Sequence, residues 1–562
     1  MTQSISFEKD SLFEWKNRAA TELKGRPPET LIWLNEAGVR QEAYYTKENS
    51  STPYPVIPGP RGNTWDIFDM IPAGQSEEMN AAALNALRSG ASALLFELNS
   101  SINLNGLLDQ IELPFIQSGF LVPENALKQF LGDLGSICQE RNWKTSEING
   151  FIQVRIEGTD LQPASLKKDY LVFADEAEKW TNLRFVVDGA SLREAGADPV
   201  YELAWTLFMA HELLLARLDK GSDVRDFCRQ LQFNLSCAED YFLEMARLRC
   251  VNHLWSLISS RYGDFSPAYL LSTTSRYRLT WLDANNNLLR NTASAMGAIC
   301  GTSSGLLVYP HIPDGTNRNS RLARNLQLIL EHEAHLDKVI DPAAGSYFIE
   351  NLTWNVAERI WEGFLEMEEK GQQGNLSAYL EDHVKSRKSA YTKDVSSGNR
   401  FYLGVNRFPS KEDNLSQAVL FDQLRDFAPA GEMESLKKRV VSLENEPKVK
   451  LLLFGDKTMR KARAAFCHNF LACAAIKAEE IGVGHLSEEL MQDTDLLILC
   501  SSDEEYLPFL ESGKLLHPPM LGIAGLPSGQ EELLRMAMVR YFIHRGSNIF
   551  QTITSMVNHL WA

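Results

Sequence analysis

The sequence predicts an α/β chain: a (β/α)8 TIM barrel followed by a smaller, doubly wound α/β domain. Three observations predict it. Short apolar runs without polar alternation recur from about residue 90, as strands covered on both faces require. Most gaps between them carry helical periodicity. After a charged stretch, the same strand–helix rhythm resumes near residue 449. A chain of 562 residues also exceeds what one hydrophobic core serves, so more than one domain is expected.

Residues 1–45 read as a charged arm carrying Phe13, Trp15, Ala19, Leu23, Leu31, Ile32 and Trp33. The arm is too short to bury these side chains alone, so it is expected to pack on another surface. Trp15 and Trp33 are its candidate partner-interface residues, because aromatic anchors dominate interfaces. Residues 50–62, rich in Ser, Pro and Gly, read as an extended surface linker.

The barrel is assigned to residues 46–390, with strands expected at 93–98, 114–119, 151–156, 170–174, 183–187, 231–236, 269–273 and 305–309. The clearest helix starts at Asp198-Pro199, a cap followed by Pro at the first helical position, and stops at Gly221. A second spans 238–262, and others are expected at 354–370 and 377–387. A linker is assigned to 391–447, with a helix at 417–427 and a charged tether over 432–448. The last domain, 448–562, has strands expected at 449–454, 495–500, 520–524 and 541–544, separated by helices.

Apolar residues at 44% and charged residues at 23% fit an ordinary globular protein. The net charge of −17 disfavours nucleic acid and anionic membrane as partners. No apolar run approaches the ~20 residues that cross a bilayer. The first ten residues lack a signal-peptide core. The eight cysteines are scattered, without Cys-x-x-Cys or zinc spacing, which suits reduced thiols in a cytoplasmic protein.

Recognisable chemistry is scarce. Asp175, Asp188 and Glu157 fall at expected strand ends, where an acid/base pair could form, but capping or pairing with arginine is the commoner use of such carboxylates. Of eleven histidines only His311 closely follows an expected strand, and it reads as a loop residue. His332 and His335 beside Glu331 and Glu333 read as a solvated helix face, so no metal is expected. There is no P-loop, no Gly-rich dinucleotide fingerprint after a strand and no nucleophile elbow.

Four stretches carry a resemblance: Arg193-Glu194-Ala195-Gly196-Ala197, residues 242–255 (FLEMARLRCVNHLW), 321–330 (RLARNLQLIL) and 341–353 (DPAAGSYFIENLT). They resemble the adenosylcobalamin-dependent methylmalonyl-CoA mutase family. The arm, with Trp15, Ala19, Leu23-Lys24-Gly25, Trp33 and Tyr44-Tyr45, is similar to the start of that family's small (beta) subunit. The last domain resembles the family's flavodoxin-like cobalamin-binding domain, ending in Arg545-Gly546-Ser547-Asn548.

The resemblance implies that active members hold adenosylcobalamin between barrel and C-terminal domain and interconvert methylmalonyl-CoA and succinyl-CoA by a radical route, with the cofactor supplying the difficult chemistry. It also locates where this sequence departs. The family's Asp-x-His-x-x-Gly, whose His ligates cobalt, reads here Asp456-Lys457-Thr458, and the nearest His is His468. The serine stretch survives as Ser501-Ser502, followed by Asp503, and the glycine pair has become Ala524-Gly525. In the barrel, the family's Tyr-His has become Ala190-Ser191. Its His-Ser-Gln-Thr-Ser, with His and Gln on the acyl-CoA, reads Leu271-Ser272-Thr273-Thr274-Ser275. A radical-shielding tyrosine falls near Met70, and the loop after Ile156 is too compressed for the family's carboxylate-binding Arg.

Asp456, Ser501, Ser502 and Gly525 are thus vestigial cofactor positions, and Ala190, Ser191, Leu271 and Thr273 degenerate substrate positions. The expectation is a small, non-catalytic subunit that binds no cofactor and forms a heterodimer with a large catalytic subunit carrying adenosylcobalamin. A homodimer of the isolated chain is compatible with the same symmetric interface. Two alternatives stand beside it: a self-sufficient mutase, and a CoA-ester or regulatory binder with a vestigial pocket.

Overall fold

In a computed structural model of the chain, the described residues are 11–99, 102–123, 126–155, 163–176, 179–221, 223–263, 265–410, 413–425, 427–485, 487–512 and 520–561. Ile156, Glu157 and the loop after them lie outside these. The chain divides into two compact units: Met1–Arg276 with Leu289–Lys385, and Tyr277–Leu288 with Ser386–Ala562.

The first unit opens with the capped helix Leu12–Glu22 and a short antiparallel hairpin of β1 (Trp33–Leu34) and β2 (Arg40–Gln41). Ser11 and Glu14 form a capping box at the helix start. The linker is no passive surface strap. Tyr54 is buried against the rings of Trp354 and His253 and donates its backbone N–H to Glu350.

Eight parallel strands then close a barrel: β3 (Asp66–Ile71), β4 (Ala93–Glu97), β5 (Gln117–Pro123), β6 (Gly150–Arg155), β7 (Leu183–Asp188), β8 (Leu231–Cys237), β9 (Tyr269–Thr274) and β10 (Gly305–Leu307). The expected fold class and strand count hold, but one member differs. Residues 170–174 belong to the helix Pro163–Glu176, where Tyr170, Phe173 and Ala174 recur at helical spacing and the first two pack on Phe185. The eighth strand is β3, whose Asp66 and Asp69 interrupt its apolar run. Arg61 and Tyr269 hold Asp66, and Arg324 holds Asp69. The strand expected at 114–119 begins at Gln117, after the tight turn Leu113–Phe115.

The barrel interior is filled. Side chains of alternate residues, Phe68, Ala93, Leu95, Phe151, Val186, Tyr269, Leu271 and Leu307, form one buried cluster, with Met70, Leu121 and Tyr309 packed against it. The Phe151 ring lies where a Cβ on Gly119 would stand, so only glycine fits at that position. Outside the strands the helix Pro199–Asp219 is almost wholly buried, capped by Asp198 through Val200 N at 2.9 Å and Tyr201 N at 3.1 Å, as the sequence predicts.

The second unit holds a parallel five-stranded sheet in the order β12-β11-β13-β14-β15, with β11 at Val449–Leu453, β12 at Ala478–Gly482, β13 at Leu496–Cys500, β14 at Met520–Ile523 and β15 at Val539–Phe542. This is doubly wound flavodoxin-like order. β12 was not expected, because Glu479 and Glu480 break its apolar run. The stretch read as a charged tether over 432–448 contains the helix Gly431–Val441, which buries Met433, Leu436 and Val440. The helix expected at 377–387 runs over Leu376–Ser397.

A filled barrel makes a sharp prediction. Gly119→Ala costs about 1–3 kcal/mol in denaturant unfolding of the barrel, because the new methyl overlaps Phe151. Adding Phe151→Leu recovers most of that loss. Equal stability of Gly119→Ala and the native chain would mean that the ring is not fixed there.

Candidate functional sites at the barrel mouth and the crest of the C-terminal sheet

Barrels of this type place reactive groups at strand C-termini. On one side of the barrel interior a hydrogen-bonded strip runs from floor to mouth. Arg184 donates to Gln117 and Gln232 at 3.0 Å each and lies 4.1 Å over the Tyr269 ring. Gln232 donates to Asn234, Asn234 to Gln153, and Gln153 to Asp188, at 2.7–2.8 Å. Ser191 closes the strip by donating its hydroxyl to Asp188. Burial raises the Asp188 pKa, opposed by the Ser191 hydrogen bond and the nearby Arg276 charge. Arg155 of β6 pairs with Glu97 of β4 at 2.7 Å across the mouth. These polar groups bond to one another, and Asp188 accepts from both Gln153 and Ser191.

The expected substrate positions fall as follows. Ala190 is buried on the short helix Gly189–Glu194, with exposed Ser191 beside it. Leu271 is fully buried in the interior cluster, and Thr273, two residues on along β9, is buried too. Met70 packs on the same cluster. Asp175 is not at a strand end: it lies on the helix Pro163–Glu176, exposed and paired with Lys220 at 2.6 Å. His311 is buried after β10, and burial lowers its pKa. His332 ends the helix Asn317–His332 beside Glu331, and His335 follows in a left-handed turn. Among the described residues no group of three His, Cys, Asp or Glu could hold a metal ion. All eight cysteines are buried free thiols.

The motif residues behind the mouth form a charge network instead. Arg193, Glu202, Glu244 and Arg247 are fully excluded from solvent. Arg193 reaches Glu244 at 3.0 Å, and Glu202 and Glu36 at 3.5 Å each. Arg247 pairs with Glu202 at 2.9 Å and with Glu244, and donates to the carbonyl of Ser236. Glu202 accepts from Ser236 N at 2.6 Å, Glu194 from Ser236 Oγ at 2.6 Å, and Glu244 from Ala238 N at 3.1 Å. Nearby, Arg249 binds Asp341 through two nitrogens, Glu350 at 3.0 Å and Thr353 at 2.7 Å. Sequence reasoning did not foresee these networks. The signal was available as paired Arg and Glu inside otherwise apolar helices.

The crest of the C-terminal sheet lies beyond the C-terminal ends of β11 and β13, the switch point where ligands enter such folds. Asp456 there caps the helix Lys457–Ala472, accepting from Thr458 N at 3.0 Å and Met459 N at 2.7 Å. The crevice holds the Glu505 carboxylate. Its Oε2 accepts from Asp456 N at 3.1 Å, Ser502 N at 3.2 Å, Ser502 Oγ at 2.7 Å and Ser501 Oγ. Gly455, at φ +63°, has Glu505 where its Cβ would be. Arg463 spans the next crevice, donating to Tyr506 Oη at 2.7 Å, the Ala524 carbonyl at 2.6 Å and Asp503 at 2.6 Å. Its guanidinium covers Gly525 in the same way. His468 sits well inside the helix, bonded to Glu480 at 2.9 Å.

The arm presents Trp33 at 52% and Phe13 at 71% exposure, while Trp15 is half-buried and stacks on Tyr44 at 5.1 Å. No helix among the described residues is long and apolar enough to cross a membrane.

Two outcomes test these sites. Arg247→Met leaves Glu202 and Glu244 buried with less compensation, and is expected to cost about 3–5 kcal/mol of barrel stability in chemical denaturation. Hydrogen bonds from Ser501, Ser502 and the Asp456 amide hold the Glu505 pKa at about 2, against an ordinary value of 4.5. A depressed carboxylate stabilises the fold above its ordinary pKa and loses that contribution as pH falls toward its folded value. Protection of the loops at 455–458 and 501–505, followed by hydrogen exchange corrected for intrinsic rate, is therefore expected to be flat above pH 5 and to fall between about pH 4.5 and 2.

The family model for methylmalonyl-CoA mutase matches residues 165–480. The methylmalonyl-CoA mutase small subunit of Porphyromonas gingivalis is 28% identical, with the alignment covering 97% of this chain and 98% of that one. The probable small subunit of Mycobacterium tuberculosis is 29% identical over 87% of this chain and 86% of its own. The methylmalonyl-CoA mutase of Rhizobium meliloti is 27% identical over 70% of this chain but only 63% of its own. Matched by that model over more than half of its 562 residues, and nearly end to end by a small subunit, the chain belongs to the methylmalonyl-CoA mutase family.

Proposed function

We propose that this chain is the non-catalytic small subunit of a heterodimeric methylmalonyl-CoA mutase, and that a large subunit bearing adenosylcobalamin interconverts methylmalonyl-CoA and succinyl-CoA. One observation carries the reading: at both places where the family resemblance expects a ligand, the chain's own side chains stand against the backbone positions a ligand would approach, with an open cavity left beside Arg463 and Gly525. In the barrel, Phe68, Phe151, Leu271 and Leu307 pack together along the interior. At the crest, Glu505 and Arg463 cover Gly455 and Gly525.

The residues do not fit a cobalamin ligand set. A cobalt ligand needs an imidazole held by a second group. The loop after β11 offers Asp456, Lys457 and Thr458, and Asp456 is spent on the helix cap. No catalytic step is therefore assigned to this chain. Its role is to fold as a stable partner. The exposed Trp33 and Phe13, with Trp15 stacked on Tyr44, support the arm as the surface that grips the large subunit. The −17 net charge supports a protein partner over nucleic acid.

Purified alone, the chain is expected to show no corrin absorbance, no mutase activity and no response to CoA in calorimetry. Co-expressed with a candidate large subunit, it is expected to co-purify at one-to-one mass, and Trp33→Ala with Phe13→Ala to weaken that complex. Tight cobalamin binding by the lone chain would overturn the proposal, and CoA binding alone would favour a vestigial binding protein.

A further inference from the structure

We propose that the switch-point crevice of the C-terminal sheet is a carboxylate-binding site occupied from within by Glu505, so that this domain is folded in a self-liganded state that needs no external ligand. The geometry is that of a ligand site. Four donors from two different loops converge on one oxygen, Oε2: the amides of Asp456 and Ser502 and the hydroxyls of Ser501 and Ser502. A backbone amide beside a helix start and a pair of serines is the donor set that anion sites use. The position is the one where doubly wound sheets admit ligands.

A plain helix cap would not explain the reach across strands. Ser502 and Glu505 form a local capping box, but the Asp456 amide belongs to the loop after β11, on the neighbouring strand. The carboxylate thus ties β11 to β13 as a bound anion would. Gly455 completes the fit, since its φ of +63° and missing Cβ leave room for the carboxylate against the backbone. The low pKa of Glu505 has the same cause, donors aimed at the charged form. The proposal stands apart from the catalytic reading, because it concerns one carboxylate and its donors.

Chemical rescue in the full-length chain tests it. Glu505→Ala removes the internal ligand and leaves the donors. Hydrogen exchange by mass spectrometry at 454–460 and 500–506 is expected to accelerate about ten-fold or more, the loss of charge-assisted hydrogen bonds. Sodium formate or acetate is expected to restore protection, while sodium chloride at equal ionic strength does not, and the native chain responds to neither. Native-like protection in E505A, or a loss that formate does not reverse beyond chloride, overturns the proposal. Should E505A fail to fold, Glu505→Gln decides: faster exchange confined to these loops and insensitive to formate supports a filled anion site, and native protection overturns it.

Discussion

The buried charges of Arg193, Glu202, Glu244 and Arg247 are the constraint on which the barrel depends. Moving any one of them out of water alone would cost several kcal/mol, so each is tolerable only because the others are in place. They come from three segments: the short helix after β7, the helix Pro199–Asp219 and the helix Tyr241–Ser259. Serine and alanine donors at the end of β8 complete the set. The network therefore fixes the register of three helices against the mouth of the barrel. Arg249, half a turn on from Arg247 and so on the opposite face of the same helix, ties that helix to Asp341 and Glu350, and through Glu350 to the buried Tyr54 strap.

This assigns the family motifs a framework role here. Arg193-Glu194, the Glu244–Arg249 run, Arg324 and Asp341 to Thr353 are among the stretches that carry the resemblance, and Arg193, Glu194, Glu244, Arg247, Arg249, Arg324, Asp341, Glu350 and Thr353 in them all bond to other protein groups. Arg324 holds Asp69 and the Ser89 carbonyl behind β3. A motif that survives because it closes a charge network says nothing about turnover. Of the residues that differ from the family, Ala190 and Leu271 are buried and Ser191 donates to Asp188 at the end of β7.

The barrel was legible in the sequence because seven of its eight strands carry short apolar runs, as covered parallel strands do, despite the polar strip along one side of the interior. β3 escaped because Asp66 and Asp69 are held by partners outside the strand: nearby Arg61 and distant Tyr269 for one, distant Arg324 for the other. The run at 170–174 misled because a short apolar segment carries too few residues to distinguish a helical stripe from a strand. The helix Gly431–Val441 hid under its charges, although Met433, Leu436 and Val440 keep its period. Departures from the family pattern at the crest and the mouth could be read directly. What occupies those places could not, because Glu505 meets Gly455 and Phe151 meets Gly119 only after strands pair.

That juxtaposition gives the proposed self-liganded crest its physical basis. Protein interiors are close-packed, and an open cleft lined by unpaired donors is costly twice, in lost contacts and in unmet hydrogen bonds. Here the glycines that permit close approach are covered by side chains whose chemistry suits the surroundings. An aromatic ring fills the apolar barrel axis, a carboxylate meets converging amides and hydroxyls, and a guanidinium meets a carbonyl and a phenol. Each filler is correct for its pocket in polarity as well as volume. The crest is thus ordered by protein groups that meet its donors, and the barrel axis is packed by side chains that suit its apolar walls.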